Sequence, residues 1–187
     1  MQLDNNVTGC ISPFEGLMIR TLYSNIIHRG NCAVNIGCYK GRSIQYMVDT
    51  WKYYNKSTTI YGIDIKLRDE LFTLFGHNAE DIILIEGSSL DQNVIDMIPN
   101  NVEFAFIDGD HTYDGCMSDL LNFWNKLIPG GVMMVHDVFD TSGIQCQPEV
   151  YKAFFDFANI HMDEFVPDDW YCGPIHRVDS SAIVWKK

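Results

Sequence analysis

Five short apolar-rich runs, at 33–36, 58–63, 81–85, 104–107 and 132–135, are each followed by Gly, Asp, Glu or His. Runs of this length stopped by turn-forming residues predict buried parallel strands. The stretches between them carry a helical period. Leu17, Ile19, Leu22, Ile26 and Ile27 form one apolar face, opened by Ser12 as cap with Pro13 after it and closed by Arg29-Gly30-Asn31. Ile44, Met47, Val48 and Trp51 form a second face, and short helices are expected over 69–75 and 91–98. Met117, Leu120, Leu121, Trp124 and Leu127 give another helix, which Pro129-Gly130-Gly131 is expected to stop. Further on, the pattern predicts a loop over 139–148, a helix over 149–160, a strand over 162–166 and a turn-rich insert over 167–174. A last strand over 178–185 is interrupted by the polar residues 179–181.

Strand and helix thus alternate five times before two closing strands. That order specifies an α/β fold, a doubly wound and mostly parallel seven-stranded sheet with right-handed crossovers. The two closing strands are near enough in sequence to pair antiparallel at one edge. No internal repeat, low-complexity tract or long linker divides the chain, so residues 1–187 are expected to form one domain.

Composition narrows the function classes. The chain has 25 acidic and 13 basic residues, a net charge of −12. Proteins that grip phosphate backbones usually carry a basic face, so a nucleic-acid substrate is not expected. Six cysteines, at 10, 32, 38, 116, 146 and 172, show no CxxC pair and no zinc spacing, which predicts reduced and mostly buried thiols. Two glycosylation sequons, at Asn6 and Asn55, are short enough to arise by chance. With no signal-peptide pattern and no run of transmembrane length, the chain is expected to be cytoplasmic and independent of membranes.

In open α/β sheets ligands bind at the carboxyl ends of the strands, which makes the strand-closing residues the candidate chemistry. After the first strand comes Asn35-Ile-Gly-Cys-Tyr-Lys-Gly41, a glycine-bearing turn at the mouth of a helix that begins near Ser43. Glycines allow close approach of a ligand to backbone, and a helix start favours polar or anionic groups, although a tight turn needs glycine in any case. The turn is not the GxGxxG dinucleotide fingerprint, which argues against a nicotinamide-dependent oxidoreductase. Asp64 closes the second strand, where it can accept hydrogen bonds from both hydroxyls of a ribose or cap the following helix. Gly87-Ser88-Ser89 after the third strand can meet an adenine edge or form an ordinary turn. After the fourth and fifth strands stand Asp108, Asp110, His111, His136 and Asp137. His111 can act as a general base near neutral pH or simply orient its loop. Tyr39, Tyr113, Trp170 and Tyr171 can line a pocket for a ring-bearing substrate or pack around loops.

Together the segments VNIGCYKGRS, YGIDI, IEGSS, FIDGDHTYDG and LIPGGVMMVHDV resemble a class I S-adenosylmethionine-dependent methyltransferase. The chain is most similar to the small-molecule and sugar O-methyltransferases, the group of macrocin O-methyltransferase and the cephalosporin-hydroxylase-like proteins. The resemblance covers roughly 13–138, and the closing VDSSAIVWKK is similar to the family's last strand. It implies a Rossmann-like sheet, S-adenosylmethionine as cofactor and a hydroxyl of a small molecule or sugar as methyl acceptor. It also implies that Gly37 and Gly41 line the methionine end of the cofactor, with Asn35, Tyr39 and Ser43 among the cofactor-binding residues. Asp64 would hold the ribose, Ser88 or Ser89 the adenine edge, and Asp108 the sulfonium side. The family usually has an acid where this chain has Asn35, an amide that cannot neutralise the methionine ammonium. A non-catalytic cofactor-binding subunit of the same fold is therefore the alternative. A homo-oligomer is compatible with the little material available to cover a substrate.

A divalent metal is the further expectation. Asp108 and Asp137 end adjacent strands, so their carboxylates can converge, and paired hard oxygens suit Mg²⁺. The ion would hold the acceptor hydroxyl and lower its pKa, leaving His111 to take the proton. Catechol-type O-methyltransferases use carboxylates at matching positions, usually with a further acid or amide beside the second. Here the neighbours of Asp137 are His136, a softer ligand than Mg²⁺ prefers, and Val138, which cannot ligate.

Overall fold

The structure is a computed structural model that describes residues 11–27, 32–76, 80–139, 147–167 and 173–187. Parallel strands β1 (Cys32–Ile36), β2 (Thr59–Asp64), β3 (Ile82–Glu86), β4 (Val102–Ile107) and β5 (Leu127–Val135) alternate with helices. Those helices are α1 (Pro13–Ile26), α2 (Arg42–Tyr54), α3 (Asp69–Phe75), α4 (Gln92–Asp96), α5 (Tyr113–Lys126) and α6 (Pro148–His161), and the chain closes with β6 (His176–Val178) and β7 (Ser181–Trp185). The sheet order is β3-β2-β1-β4-β5-β7-β6, with β7 antiparallel to both β5 and β6. This is the doubly wound, mostly parallel seven-stranded sheet expected from the sequence, with its antiparallel edge.

Successive strand residues face opposite layers, which is why these strands are apolar throughout. Val34, Ile36, Ala105, Ile107, Met133 and Val135 pack with Leu120, Phe123, Phe154 and Phe157 of α5 and α6. Ala33, Phe104, Phe106, Val132 and Met134 pack with Ile19, Tyr23, Ile44 and Met47 of α1 and α2. Phe104 and Phe106 are both wholly buried, and each such ring stabilises the fold by about 1.5–3 kcal/mol. Ser12 caps α1 as expected, and the cap is reciprocal: Glu15 N–H donates to Ser12 Oγ and Ser12 N–H donates to Glu15 Oε2.

Three expectations are corrected. Pro129-Gly130-Gly131 lies inside β5, not between helix and strand, because α5 runs directly into β5. The pairing of β4 with β5 shifts at this point, and Gly130, at φ +78°, donates its N–H to Lys186 O while Lys186 N–H donates to Gly131 O. A long-range partner turns a helix stop into a bulged strand start. Met162–Glu164 is a 3₁₀ turn instead of a strand, and only Phe165 forms a bridge, to Lys186. Its ring packs edge-on against Trp124, whose indole N–H donates to Glu164 Oε2 at 2.8 Å. The single strand expected over 178–185 is a hairpin, β6 and β7 joined by Asp179-Ser180, with Asp179 at φ +53°. Asp tolerates that left-handed geometry, so polar residues that looked like an interruption form the turn.

Most of the expected 139–148 loop, all but three residues of the 167–174 insert, and Cys10, Cys146, Trp170, Tyr171 and Cys172 lie outside the described residues. Cys32, Cys38 and Cys116 are buried free thiols, as expected.

Candidate active site

Strand order reverses at β1, which pairs with β2 on one side and β4 on the other. Doubly wound sheets open a crevice there, beyond the carboxyl ends of the strands. A cavity of about 730 Å³ occupies it, walled by the loops that follow β1 to β4: Gly37 and Tyr39, Asp64, Ser88 and Ser89, and residues 108–112. A smaller cavity of about 230 Å³ adjoins it, sharing Gly37, Tyr39, Asp108 and His111 and adding Ser43 and Asp137.

The β1–α2 turn is built for close approach. Gly37 sits at φ +79°, and a Cβ there would lie 1.8 Å from the Asp108 carbonyl oxygen. Asp64 braces the same turn: its Oδ2 accepts from the amides of Cys38 at 2.9 Å and Tyr39 at 2.8 Å, and its Oδ1 from Lys66 at 3.0 Å. A carboxylate has about four lone-pair positions, so roughly one remains for a ligand in the cavity. Ser88 Oγ accepts from Leu90 N–H at 3.2 Å, which leaves its own proton available. Asn35 and Gly41 line neither cavity. Asn35 is wholly buried and donates to Gly37 O at 3.1 Å, so its amide fastens the turn from beneath. Gly41 begins α2 at φ +86°, and a Cβ there would press on Phe75.

The ionisable residues gather at the junction of the two cavities. Register pairs Ile107 with Val135, so Asp108 and His136-Asp137 leave the sheet side by side. Asp137 turns at φ +59°, a left-handed conformation of the kind that concentrates at functional sites. His111 Nε2 lies 3.2 Å from Asp137 Oδ2 and 3.6 Å from Asp108 Oδ1. His136, 4% exposed, lies behind them with Nδ1 at 3.2 Å from Asp108 Oδ1 and 3.3 Å from Asp137 Oδ1, and Nε2 at 3.4 Å from Glu15 Oε2. At His136 these are ion-pair contacts and not aligned hydrogen bonds.

Charge follows geometry. The Asp108 and Asp137 carboxylates push His111 up to about 10, so both its nitrogens carry protons at neutral pH. Burial works against a charge on His136, yet Asp108, Asp137 and Glu15 hold it at about 12. Burial likewise opposes ionisation of Asp137, but His111 and His136 keep its carboxyl well below the usual range. One ligand atom each from Asp108, His111 and Asp137 all lie within 4.8 Å of one another. The two carboxylate oxygens at that spacing fit a small divalent cation.

A family model described as "Methyltransferase domain" matches residues 34–138, more than half of the chain. The chain belongs to this methyltransferase family. The methyltransferase is also 27% identical over 134 residues to an uncharacterized protein of Acanthamoeba polyphaga mimivirus, a match covering 66% of this chain and 59% of that protein. The match thus spans about three fifths of that relative's length. Among solved structures, a Corynebacterium glutamicum protein superposes with a TM-score of 0.69 at 16% identity, covering 95% of this chain and 82% of the other. The O-methyltransferase NovP superposes at 0.67 and 13% identity, covering 97% and 83%. MycE, a methyltransferase of the mycinamycin pathway solved with Mg, S-adenosylhomocysteine and mycinamycin VI, superposes at 0.64 and 17% identity, covering 96% and 50%. At these identities the likeness is one of fold.

One residue of the methyltransferase's polar cluster, Glu15, was not expected there, whereas His136 was expected among the strand-end candidates. Glu15 shows in sequence only as the third helical residue after Ser12, a capping signal that gives no hint of burial against a strand end. His136 is adjacent to Asp137 in sequence but meets the carboxylates from behind. Among the described residues no helix is long and apolar enough to cross a membrane.

Proposed function

We propose that this methyltransferase moves the methyl group of S-adenosylmethionine to a hydroxyl of a small molecule or sugar, assisted by a divalent metal. The observation that carries the reading is the convergence of Asp108, His111 and Asp137 where the two cavities meet. The larger cavity suits the cofactor, within the usual range of small-molecule sites. In this reading Gly37, Tyr39 and Ser43 face its methionine end, Asp64 its ribose, Ser88 or Ser89 its adenine edge, and Asp108 its sulfonium side. NovP's description as an O-methyltransferase and the Mg and S-adenosylhomocysteine in MycE support the reading. It takes residues 1–187 as one cytoplasmic domain that acts on neither nucleic acid nor membrane, with a homo-oligomer allowed.

The transfer is an in-line displacement at the methyl carbon, so holding the acceptor oxygen at short range supplies much of the rate. The walls shared by the cavities, Gly37, Tyr39, Asp108 and His111, do that positioning. Asp108 and Asp137 would hold the ion, which supplies positive charge that lowers the hydroxyl's pKa. His111, beside both carboxylates, would be the group to take the hydroxyl proton.

Asn35 supports a second reading, a cofactor-binding subunit without turnover, because its amide nitrogen donates to Gly37 O and the side chain offers no charge to the methionine ammonium. One experiment separates the two. The protein is incubated with S-adenosylmethionine and a panel of hydroxylated small molecules and sugars, and the site of any methyl group is assigned by NMR. Transfer to oxygen that stops on chelation, returns with Mg²⁺ and is lost in Asp137→Ala is the expected result. Transfer to nitrogen or carbon, or full activity in chelator, overturns the proposal. Cofactor binding with no transfer across the panel favours the second reading.

A further inference from the structure

We infer that Glu15, on the first helix and outside the cavities, is a positioning residue for the metal-binding carboxylate pair and acts through His136. The inference rests on the reading of Asp108 and Asp137 as metal ligands.

Glu15 is 1% exposed, a rare state for a carboxylate without a dedicated partner. Its oxygens are gripped from three parts of the chain. Oε1 accepts from Ser180 Oγ at 2.5 Å and Ser181 Oγ at 2.8 Å, and Oε2 accepts from Ser12 N–H at 3.0 Å. The same Oε2 faces His136 Nε2 at 3.4 Å. The imidazole is therefore held from behind by a group that cannot swing, and its other nitrogen sits between Asp108 Oδ1 and Asp137 Oδ1. One oxygen of each aspartate is drawn inward to His136. Asp137 Oδ2 is turned toward His111. A carboxylate pair must be aimed to within a fraction of an ångström to bind Mg²⁺, whose octahedral geometry is strict, and partners behind the ligands commonly set that aim. Here the chain spans a helix, a strand end and a hairpin: Ser180 and Ser181, Glu15, His136, then Asp108 and Asp137.

A purely structural role is the competing account, since Glu15 also caps α1 and anchors the β6–β7 hairpin. Mn²⁺ binding read by electron paramagnetic resonance, alongside S-adenosylhomocysteine affinity and thermal stability, separates them. Glu15→Gln keeps the size and an acceptor oxygen for the serines but not the charge facing His136. Its Mn²⁺ affinity should fall at least tenfold while S-adenosylhomocysteine affinity stays within about threefold. Glu15→Asp, which keeps the charge but draws it away from the imidazole, should weaken Mn²⁺ in the same direction and serves if the Gln variant does not fold. The Ser180→Ala/Ser181→Ala pair, which loosens the hairpin but leaves Glu15 and His136, should lower thermal stability with a much smaller change in Mn²⁺ affinity. Unchanged Mn²⁺ affinity in both Glu15 variants, or parallel loss of stability and Mn²⁺ affinity in all variants, overturns the inference alone. Absence of Mn²⁺ binding in the wild type overturns the metal reading and the inference with it.

Discussion

Gly37 and Asp108 are in such close register that a single methyl group on Gly37 would overlap the Asp108 carbonyl oxygen, at 1.8 Å. The contact joins the turn after β1 to the loop after β4, the two segments that flank the point where strand order reverses. Gly37→Ala also forces an L-residue to φ +79°. The backbone conformation and the overlap together should cost roughly 2–4 kcal/mol. Denaturant unfolding should register that loss, and calorimetry should show S-adenosylhomocysteine binding abolished. A variant with wild-type stability would mean the turn can back away from Asp108.

Asp64 has two roles that one substitution can separate. Asp64→Ala removes an acceptor for the Cys38 and Tyr39 amides and the proposed acceptor for the ribose. Hydrogen bonds to charged groups contribute about 1.5–3 kcal/mol each, so cofactor affinity should fall at least tenfold. Amide exchange at residues 38 and 39 should accelerate in the free protein. Faster exchange with unchanged S-adenosylhomocysteine affinity would leave Asp64 a brace for the turn and remove it from the ribose.

Asp119, on α5 beneath Gly109, is wholly buried, and neither of its oxygens has a hydrogen-bond partner among the described residues. Burial raises its carboxyl to about 6, with Ser89 pulling down and Asp110 adding to the rise. A raised carboxyl favours the fold in its protonated form. The stability it contributes is complete below pH 3.8 and is lost as pH rises through about 6. A rise of about two pKa units corresponds to roughly 3 kcal/mol. Asp119→Asn should therefore unfold at higher denaturant than wild type at pH 8, with the gap closing toward pH 4. A gap that does not change between the two pH values would show that Asp119 finds a partner for its charge.

The parallel core was legible because apolar runs there are stopped by chemistry-bearing residues, so strand ends and candidate site residues coincide. Asp108 and Asp137 could be placed side by side from sequence since consecutive strands of such a unit pair directly. The bulged start of β5 was not legible: Pro129-Gly130-Gly131 has every local mark of a helix stop, and its partner Lys186 is far away in sequence. Asp179-Ser180 resembled a weak point in one strand because two three- to five-residue strands leave too short a pattern to separate. Asn35 and Gly41 stand in the sequence motif, and each also supports the turn, which the motif alone does not reveal. Glu15 was invisible for the opposite reason, since its partners are set by tertiary packing and leave no local pattern.

The hydrogen bonds from Ser180 and Ser181 to Glu15 span 165 and 166 residues. A ribosome therefore delivers α1 and all five parallel strands well before the hydroxyls that hold Glu15 in place. During synthesis the central sheet can form from neighbouring segments, with Glu15 held by its cap to Ser12 but not yet by the hairpin. The β7 strand must then slot between β5 and β6, against the growing order of the sheet. Contacts of such long sequence separation form late and slowly. The anchoring of α1 to the sheet edge is therefore the last part of the fold to close, and a nascent or truncated chain without the hairpin holds Glu15 by the Ser12 amide and His136 alone.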